Sequence, residues 1–379
     1  MKKSTKLWAS ALASTLLLAG CGAPPGGAPA PDTAAPVATG GGAATPEPTL
    51  QAVEGFLPCI VSGEGGFQDR SFNQSAYEGM QAAATRFGMS TFPAVQSNSA
   101  TDYIPNIQSL LGQNCSLIAA ISFDLAPATV DAANANQDVH FLLVDDSGVI
   151  DGVQPPANLK SVLFNTAEAA FLAGYLAAGY SSREGGANHV GTFGGANFPT
   201  VTIFMDGFRQ GVEYFNEQHG TNVQFTGWDG YDGSFTGGFQ ADQTAQTMAQ
   251  GIIDQGVDVI LPVGGPIYQS AVAAIQGSGR DVALIGVDMD LFYTDPSTQP
   301  FILTSILKNV SGAVENSVVN SATGNWTSDP YIGDLANDGV GLAPFHNFDD
   351  KVGQDLRDNI AQLKQDIIDG RVEVESYLN

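Results

Sequence analysis

The chain predicts an α/β fold made of two Rossmann-like lobes of parallel sheet, with a ligand cleft at the hinge between them. Three observations carry that expectation. From residue 57 onward, short and nearly continuous apolar runs alternate with helical periodicities, the pattern of parallel strands covered on both faces by helices. The alternation runs once over 57–180 and starts again at 189. Several strands also end in polar or glycine-rich sequence: SGEGGFQDRSF (62–72), SFDLAP (122–127), VDDSG (144–148), TFGGANFP (192–199), PVGGP (262–266) and GVDMD (286–290). In open α/β sheets the carboxyl ends of the strands line the binding crevice.

The first fifty residues lie outside this pattern. Lys2, Lys3 and Lys6 precede a short apolar core at 12–19, and Leu18-Ala19-Gly20-Cys21 matches a bacterial lipobox. Residues 1–20 are therefore expected to be a signal peptide that is removed, and Cys21 to carry the lipid anchor; the bland alternative is an ordinary secretory signal with a chance cysteine. Residues 21–51 are mostly Ala, Pro, Gly and Thr. Such a composition cannot bury a core and is expected to act as a disordered tether. No later run is long and apolar enough to span a bilayer.

The remaining length suits two lobes. Strands are expected at 57–61, 91–95, 117–123, 139–144 and 160–164, followed by a helix at 166–180. A second series follows at 189–193, 222–228, 257–263 and 282–288. A late strand at 300–307 and helix at 313–322 suggest that the chain crosses back between lobes, before a last helix near 353–368. The expected division is 52–164 plus about 301–326 for the first lobe, and 165–300 plus about 327–379 for the second.

Composition narrows the partners. The formal charge is −25, or −28 once the three signal lysines are gone and eleven basic residues face 39 acidic ones. An acidic surface of this size argues against nucleic-acid binding. Of the three cysteines, Cys59 lies in the first strand and Cys115 just before the third. If those strands are neighbours a disulfide is geometrically possible, and two buried free thiols are the alternative. No CxxC motif and no Cys/His cluster with metal spacing is present, so neither a metal nor a cofactor is expected.

The most informative local stretch is 56–80, FLPCIVSGEGGFQDRSFNQSAYEGM. An apolar strand enters a glycine-rich turn whose residues 63, 65 and 66 permit close approach to a ligand. The helix that follows repeats Phe72, Ala76, Met80, Ala83, Ala84 and Phe87 on one face. Its first turn is expected to offer free backbone N–H groups beside an aromatic ring, amides and a hydroxyl. Catalytic signatures are weak by comparison. His140, His189, His219 and His346 have no recognisable nucleophile beside them, there is no GxSxG elbow and no Walker lysine, and GEGG lacks full GxGxxG spacing. The acid pairs Asp145/Asp146 and Asp288/Asp290 read more simply as turn acids than as acid–base or metal sites. No enzyme is expected.

GEGGFQDRSFNQSAYEG resembles the signature of the basic membrane protein family of bacterial lipoproteins, which includes purine-nucleoside receptors of ABC transporters. LKSVLFNTAEAAFLAGYLAA, GTFGGANFPTVTIFMDGFRQGV, YDGSF, GVDVILPVGG, IGVDMD, TSILKNV and IIDGRVEV continue the resemblance in the family's order over most of the folded chain. It implies a type I periplasmic-binding-protein fold closing on one nucleoside. Phe72 and Phe235 stand at the positions whose rings sandwich the base, and Gly265, Asp288 and Lys308 at those that hold the ribose. The family usually carries an aspartate just before the glycine pair to read the base edge. Here Ser62 and Gly63 stand there, and Glu64, Asp124 and Asn73 are the candidates to replace it. The resemblance implies a monomeric, lipid-anchored receptor on the outer face of the cell membrane that hands a nucleoside to an ABC permease and its ATPase. A ligand-sensing lipoprotein with a membrane signalling partner, or a receptor for another small molecule, remains open.

Overall fold

A computed structural model describes residues 50–378. The signal peptide, Cys21 and nearly all of the expected tether lie outside the described residues. The first lobe opens with β1 (Pro58–Ser62), α1 (Phe72–Arg86), β2 (Ala94–Val95), α2 (Tyr103–Leu111), β3 (Leu117–Ile121), α3 (Ala126–Ala135), β4 (His140–Val144) and β5 (Leu159–Phe164). The chain then passes into α4 (Thr166–Ser181), β6 (His189–Gly194), α5 (Pro199–His219), β7 (Gln224–Thr226), α6 (Gln243–Asp254) and β8 (Val259–Val263). The second lobe continues with α7 (Ile267–Ser278), β9 (Ala283–Asp288), the short α8 (Leu291–Thr294) and β10 (Ile302–Lys308). The last elements are α9 (Val310–Ala322), β11 (Tyr331–Gly333), β12 (Val340–Leu342), α10 (Asp349–Val352) and α11 (Gln354–Ile368).

Each lobe holds a six-stranded sheet, ordered β2-β1-β3-β4-β5-β11 in one and β7-β6-β8-β9-β10-β12 in the other. The two orders are the same, although no sequence repeat is visible. All pairings are parallel except β10 with β12. The central strands β1, β3, β8 and β9 are buried at every position, which is why they read as unbroken apolar runs.

The late crossings differ from the expected division. Strand β10, expected in the first lobe, is bonded into the second sheet, while β11, expected in the second, closes the first sheet. Only α9 returns as anticipated, packing so tightly on α1 that a Cβ at Gly79 would lie 2.2 Å from the Ser311 carbonyl oxygen. A lone apolar strand carries no label for its sheet; pairing decides it. Three connections therefore link the lobes, after β5, after β10 and between β11 and β12. The first two are built alike. Asn165 and Asn309 have nearly the same backbone angles (φ −77°, ψ 61° and φ −77°, ψ 58°), and their N–H groups donate to Gly333 and Gly339 at 2.7 and 2.8 Å.

Helix α4 is buried on all sides, with only two of its sixteen residues outside the core, as its uniform Ala-rich sequence requires. It meets α5 through glycines: a Cβ at Gly174 would sit 2.0 Å from the Phe208 carbonyl oxygen. Cys59 and Cys115 form a disulfide across neighbouring β1 and β3, with their Cα atoms 5.9 Å apart.

Candidate functional site

A cavity with about 670 Å³ of space, part of it open to solvent, lies between the carboxyl ends of the two sheets. Its walls come from the two points where strand order reverses, between β1 and β3 and between β6 and β8. These are the positions where helices leave opposite faces of a sheet and open a crevice. Phe72, Phe123, Phe204 and Phe239 supply aromatic walls, and Asp145, Asp288 and Lys308 supply charge.

The first-lobe wall is shaped by the turn at 63–71. Gly66 has φ +68°, and a Cβ there would meet the Gln96 side-chain oxygen at 2.1 Å. Asp69 then caps α1. Its Oδ1 accepts from the Ser71 and Gln74 N–H groups at 2.9 and 3.0 Å, and its Oδ2 from the Asn73 N–H and Nδ2 at 3.0 and 2.9 Å. The expectation that the first turn of this helix offers free N–H groups is thus corrected. Asp69 takes those of Asn73 and Gln74 together with that of the preceding Ser71, because an acid near the N-terminus satisfies the orphan donors and the helix dipole together. What the turn presents to the cavity is the Phe72 ring together with Asn73.

The charged end is assembled from three strand ends. Lys308 closes β10 at 4 % exposure. Its Nζ lies 2.5 Å from Asp145 Oδ2, at the end of β4, and 4.9, 5.2 and 5.9 Å from the ring centres of Phe72, Phe164 and Phe204. A buried lysine among rings needs such a carboxylate. Asp288 ends β9 with φ +67° and 8 % exposure, and accepts a hydrogen bond from Ser71 Oγ across the cleft. Burial pushes its carboxyl up to about 6, against the opposing pull of Lys308 and Ser71.

Of the residues expected from the sequence, Phe72, Asn73, Glu64, Gly265, Asp288 and Lys308 border the cavity. Phe235 and Asp124 do not. The segment around Phe235 extends the sheet edge: the Gly194 N–H donates to the Ser234 carbonyl at 2.9 Å and the Thr236 N–H to the Gly194 carbonyl at 3.0 Å. This turns the Phe235 ring into the lobe, edge-on to Trp228 at 5.9 Å. Asp124 instead accepts from the Tyr103 hydroxyl at 2.5 Å. Burial, and then this bond, raise the Tyr103 hydroxyl above its ordinary range.

The ring that the Phe235 loop gives to the cavity is Phe239, four residues further along, and it joins Phe204 of α5 as a second-lobe wall. Its edge lies where side chains on Gly195 and Gly264 would stand, 2.5 and 2.8 Å from a Cβ at each. The GGF run at 237–239 was its only sequence signal. Asp145 was visible as a turn acid but not as the partner of Lys308. Of the two positions where the family's acid was expected, Ser62 and Gly63, the second has a steric counterpart, since a Cβ at Gly63 would lie 2.7 Å from Ser122 Cβ and 3.1 Å from the Ile121 carbonyl oxygen. The end of β3 closes the space an aspartate would need. Among the described residues, no group of three or more His, Cys, Asp or Glu is arranged to hold a metal ion, and no helix is long and apolar enough to cross a membrane.

Two α/β lobes joined by three connections, with an aromatic and charged cavity between them, define a solute-binding protein of the type I periplasmic fold. The chain belongs to the basic membrane protein family: the family model for PnrA-like ABC transporter substrate-binding proteins matches residues 59–376. Among its relatives is the ABC transporter nucleoside-binding protein BmpA of Lactococcus lactis, 29 % identical over 333 residues, covering 84 % of this chain and 88 % of the relative. Basic membrane protein D of Borreliella burgdorferi is 25 % identical over 316 residues, covering 80 % and 86 %. In fold, the chain is similar to an ABC transporter solute-binding protein from Aeropyrum pernix at a TM-score of 0.73 and 22 % identity, over 86 % of this chain and 94 % of that one.

Proposed function

We propose that the protein is a lipid-anchored receptor that captures one nucleoside between its lobes and delivers it to an ABC permease. The observation that carries this reading is the pairing, in one cavity, of aromatic walls from both lobes with a buried Asp288–Lys308–Asp145 group. A flat base stacks on rings, at ~1–3 kcal/mol each in single-strand binders. Vicinal sugar hydroxyls donate to an ionised carboxylate, and Lys308 balances the charge. The nucleoside-binding relative in Lactococcus lactis supports the same class of ligand. Cys21 would hold the chain to the outer face of the membrane through acyl chains.

The closed space at Gly63 argues for relaxed reading of the base edge. With no acid at 62 or 63, only Glu64 and Asn73 on the cavity wall are left to read the base edge, and a weaker base-edge contact discriminates less between related ligands. Adenosine, inosine and guanosine are therefore expected to bind within about tenfold of one another, well above free bases and ribose. Thermal-shift screening followed by titration calorimetry with nucleosides, bases, sugars and amino acids tests the reading. Stabilisation by another solute class, with none from any nucleoside, would reject it. Metabolic labelling with a radioactive fatty acid, lost in Cys21→Ser, tests the anchor.

A further inference from the structure

A second contact crosses the cleft without touching the cavity. Arg70 sits on the first-lobe turn, between the helix-capping Asp69 and the cavity-facing Ser71 and Phe72. Its guanidinium reaches Asp295 of the second lobe, with Nη1 2.6 Å from Oδ2. The acceptor is fixed by its own lobe. The Tyr268 hydroxyl donates to Asp295 Oδ2 at 2.9 Å, and the Ser297 hydroxyl donates to Oδ1 at 2.7 Å. The Arg70 carbonyl also receives the Thr294 hydroxyl at 3.5 Å. Arg70 holds φ +57°, a conformation that favours glycine. None of Arg70, Tyr268, Thr294 and Asp295 borders the cavity.

We propose that Arg70 is an affinity-setting latch: its ion pair with a preformed Asp295 site exists only when the lobes are closed and stabilises closure whatever solute lies inside. Burial alone would push the Asp295 carboxyl up, but its hydrogen bonds to Ser297, Tyr268 and Arg70 outweigh it and hold it below the usual range. The acceptor is preformed by the hydrogen bonds from Tyr268 and Ser297 of its own lobe. The Arg70 side chain is 47 % exposed, so the contribution is modest and weakens with salt. Apparent affinity scales with the fraction of molecules able to close, so an interaction made only in the closed form multiplies every ligand's affinity by one factor. A residue touching the ligand would instead change the ratio between ligands. The strain at φ +57° is consistent with an arginine retained for its side chain.

The inference uses the nucleoside reading only for its probes. Inosine and adenosine are titrated into wild type, Arg70→Ala, Arg70→Lys and Arg70→Gly, the last chosen because glycine accepts the backbone angle and keeps the turn folded. The alanine and glycine variants are expected to raise Kd about two- to fivefold, by the same factor for both nucleosides and through faster dissociation, with the lysine variant between. An unchanged Kd, or a factor that differs between the two nucleosides, overturns the latch. If neither nucleoside binds wild type, the nucleoside reading falls instead. The latch is then judged by interlobe distances in doubly spin-labelled ligand-free protein, where Arg70→Ala is expected to deplete the closed population and an unchanged distribution overturns it.

Discussion

Lys308 is a cation held at 4 % exposure by one carboxylate and three rings, with the buried Asp288 nearby. The balance makes the site sensitive to pH. The Asp288 carboxyl is raised to about 6 in the folded chain, above its unfolded value, so the folded state binds its proton more tightly. Ionising Asp288 costs stability as pH rises through that value, and the cost is absent at lower pH. Ligand hydroxyls need the ionised form, so affinity has the opposite sign: it is expected to fall as pH drops from about 7.5 to about 5. Calorimetric Kd values across that range check it. Asp288→Asn should flatten the profile and weaken binding by about 10- to 100-fold, the size of a lost charged hydrogen bond. The two loop phenylalanines separate in the same assay. Phe239→Ala should cost ~1–3 kcal/mol of binding with little change in Tm, and Phe235→Ala should lower Tm more than affinity. Equal losses of affinity would return Phe235 to the cavity.

At the scale of elements, close backbone approach sets the geometry from which the site hangs. Helix α5 touches α4 through Gly207 and Gly211 as well as Gly174; a Cβ on Gly207 would stand 2.3 Å from the Ala167 carbonyl oxygen. Gly207→Ala is expected to destabilise by at least about 2 kcal/mol in chemical denaturation, because the obstacle is backbone and cannot rotate away. The same helix pair carries Phe204 to the cavity, so affinity should fall as well. Helix α4 was legible as a helix from its sequence, and α5 was not singled out. Their contact was not legible, since glycine spacing in two distant segments does not say that they meet.

The molecule as a whole carries far more acid than base, with a net charge of −25. Self-repulsion on that scale outweighs the few exposed ion pairs, so raising sodium chloride from about 0.01 to about 0.3 M, across the range where the screening length shortens, should raise Tm. A melting point that falls with salt would mean that surface pairs dominate. The disulfide acts on the unfolded chain instead. Cys59 and Cys115 are separated by 56 residues, and a loop of that length is worth about 4 kcal/mol in the chain-entropy treatment. Reduction should therefore lower the denaturant midpoint by a comparable free energy.

The sequence by itself determined ten of the strands, four of the helices, the two-lobe α/β class and six residues that border the cavity. Those features are local or periodic: apolar runs, helical spacing, and polar turns at strand ends. It could not decide which sheet receives β10, nor reveal that residues 331–333 form a strand at all, since both places depend on hydrogen bonding to partners far away in the chain. Nor could it choose between two phenylalanines four residues apart in one loop. Tertiary structure made that choice, because pairing with β6 turned Phe235 into the lobe and the bare backbones of Gly195 and Gly264 made room for Phe239. Asp145 and Lys308, 163 residues apart, became partners only when β4 of one sheet and β10 of the other ended at the same hinge.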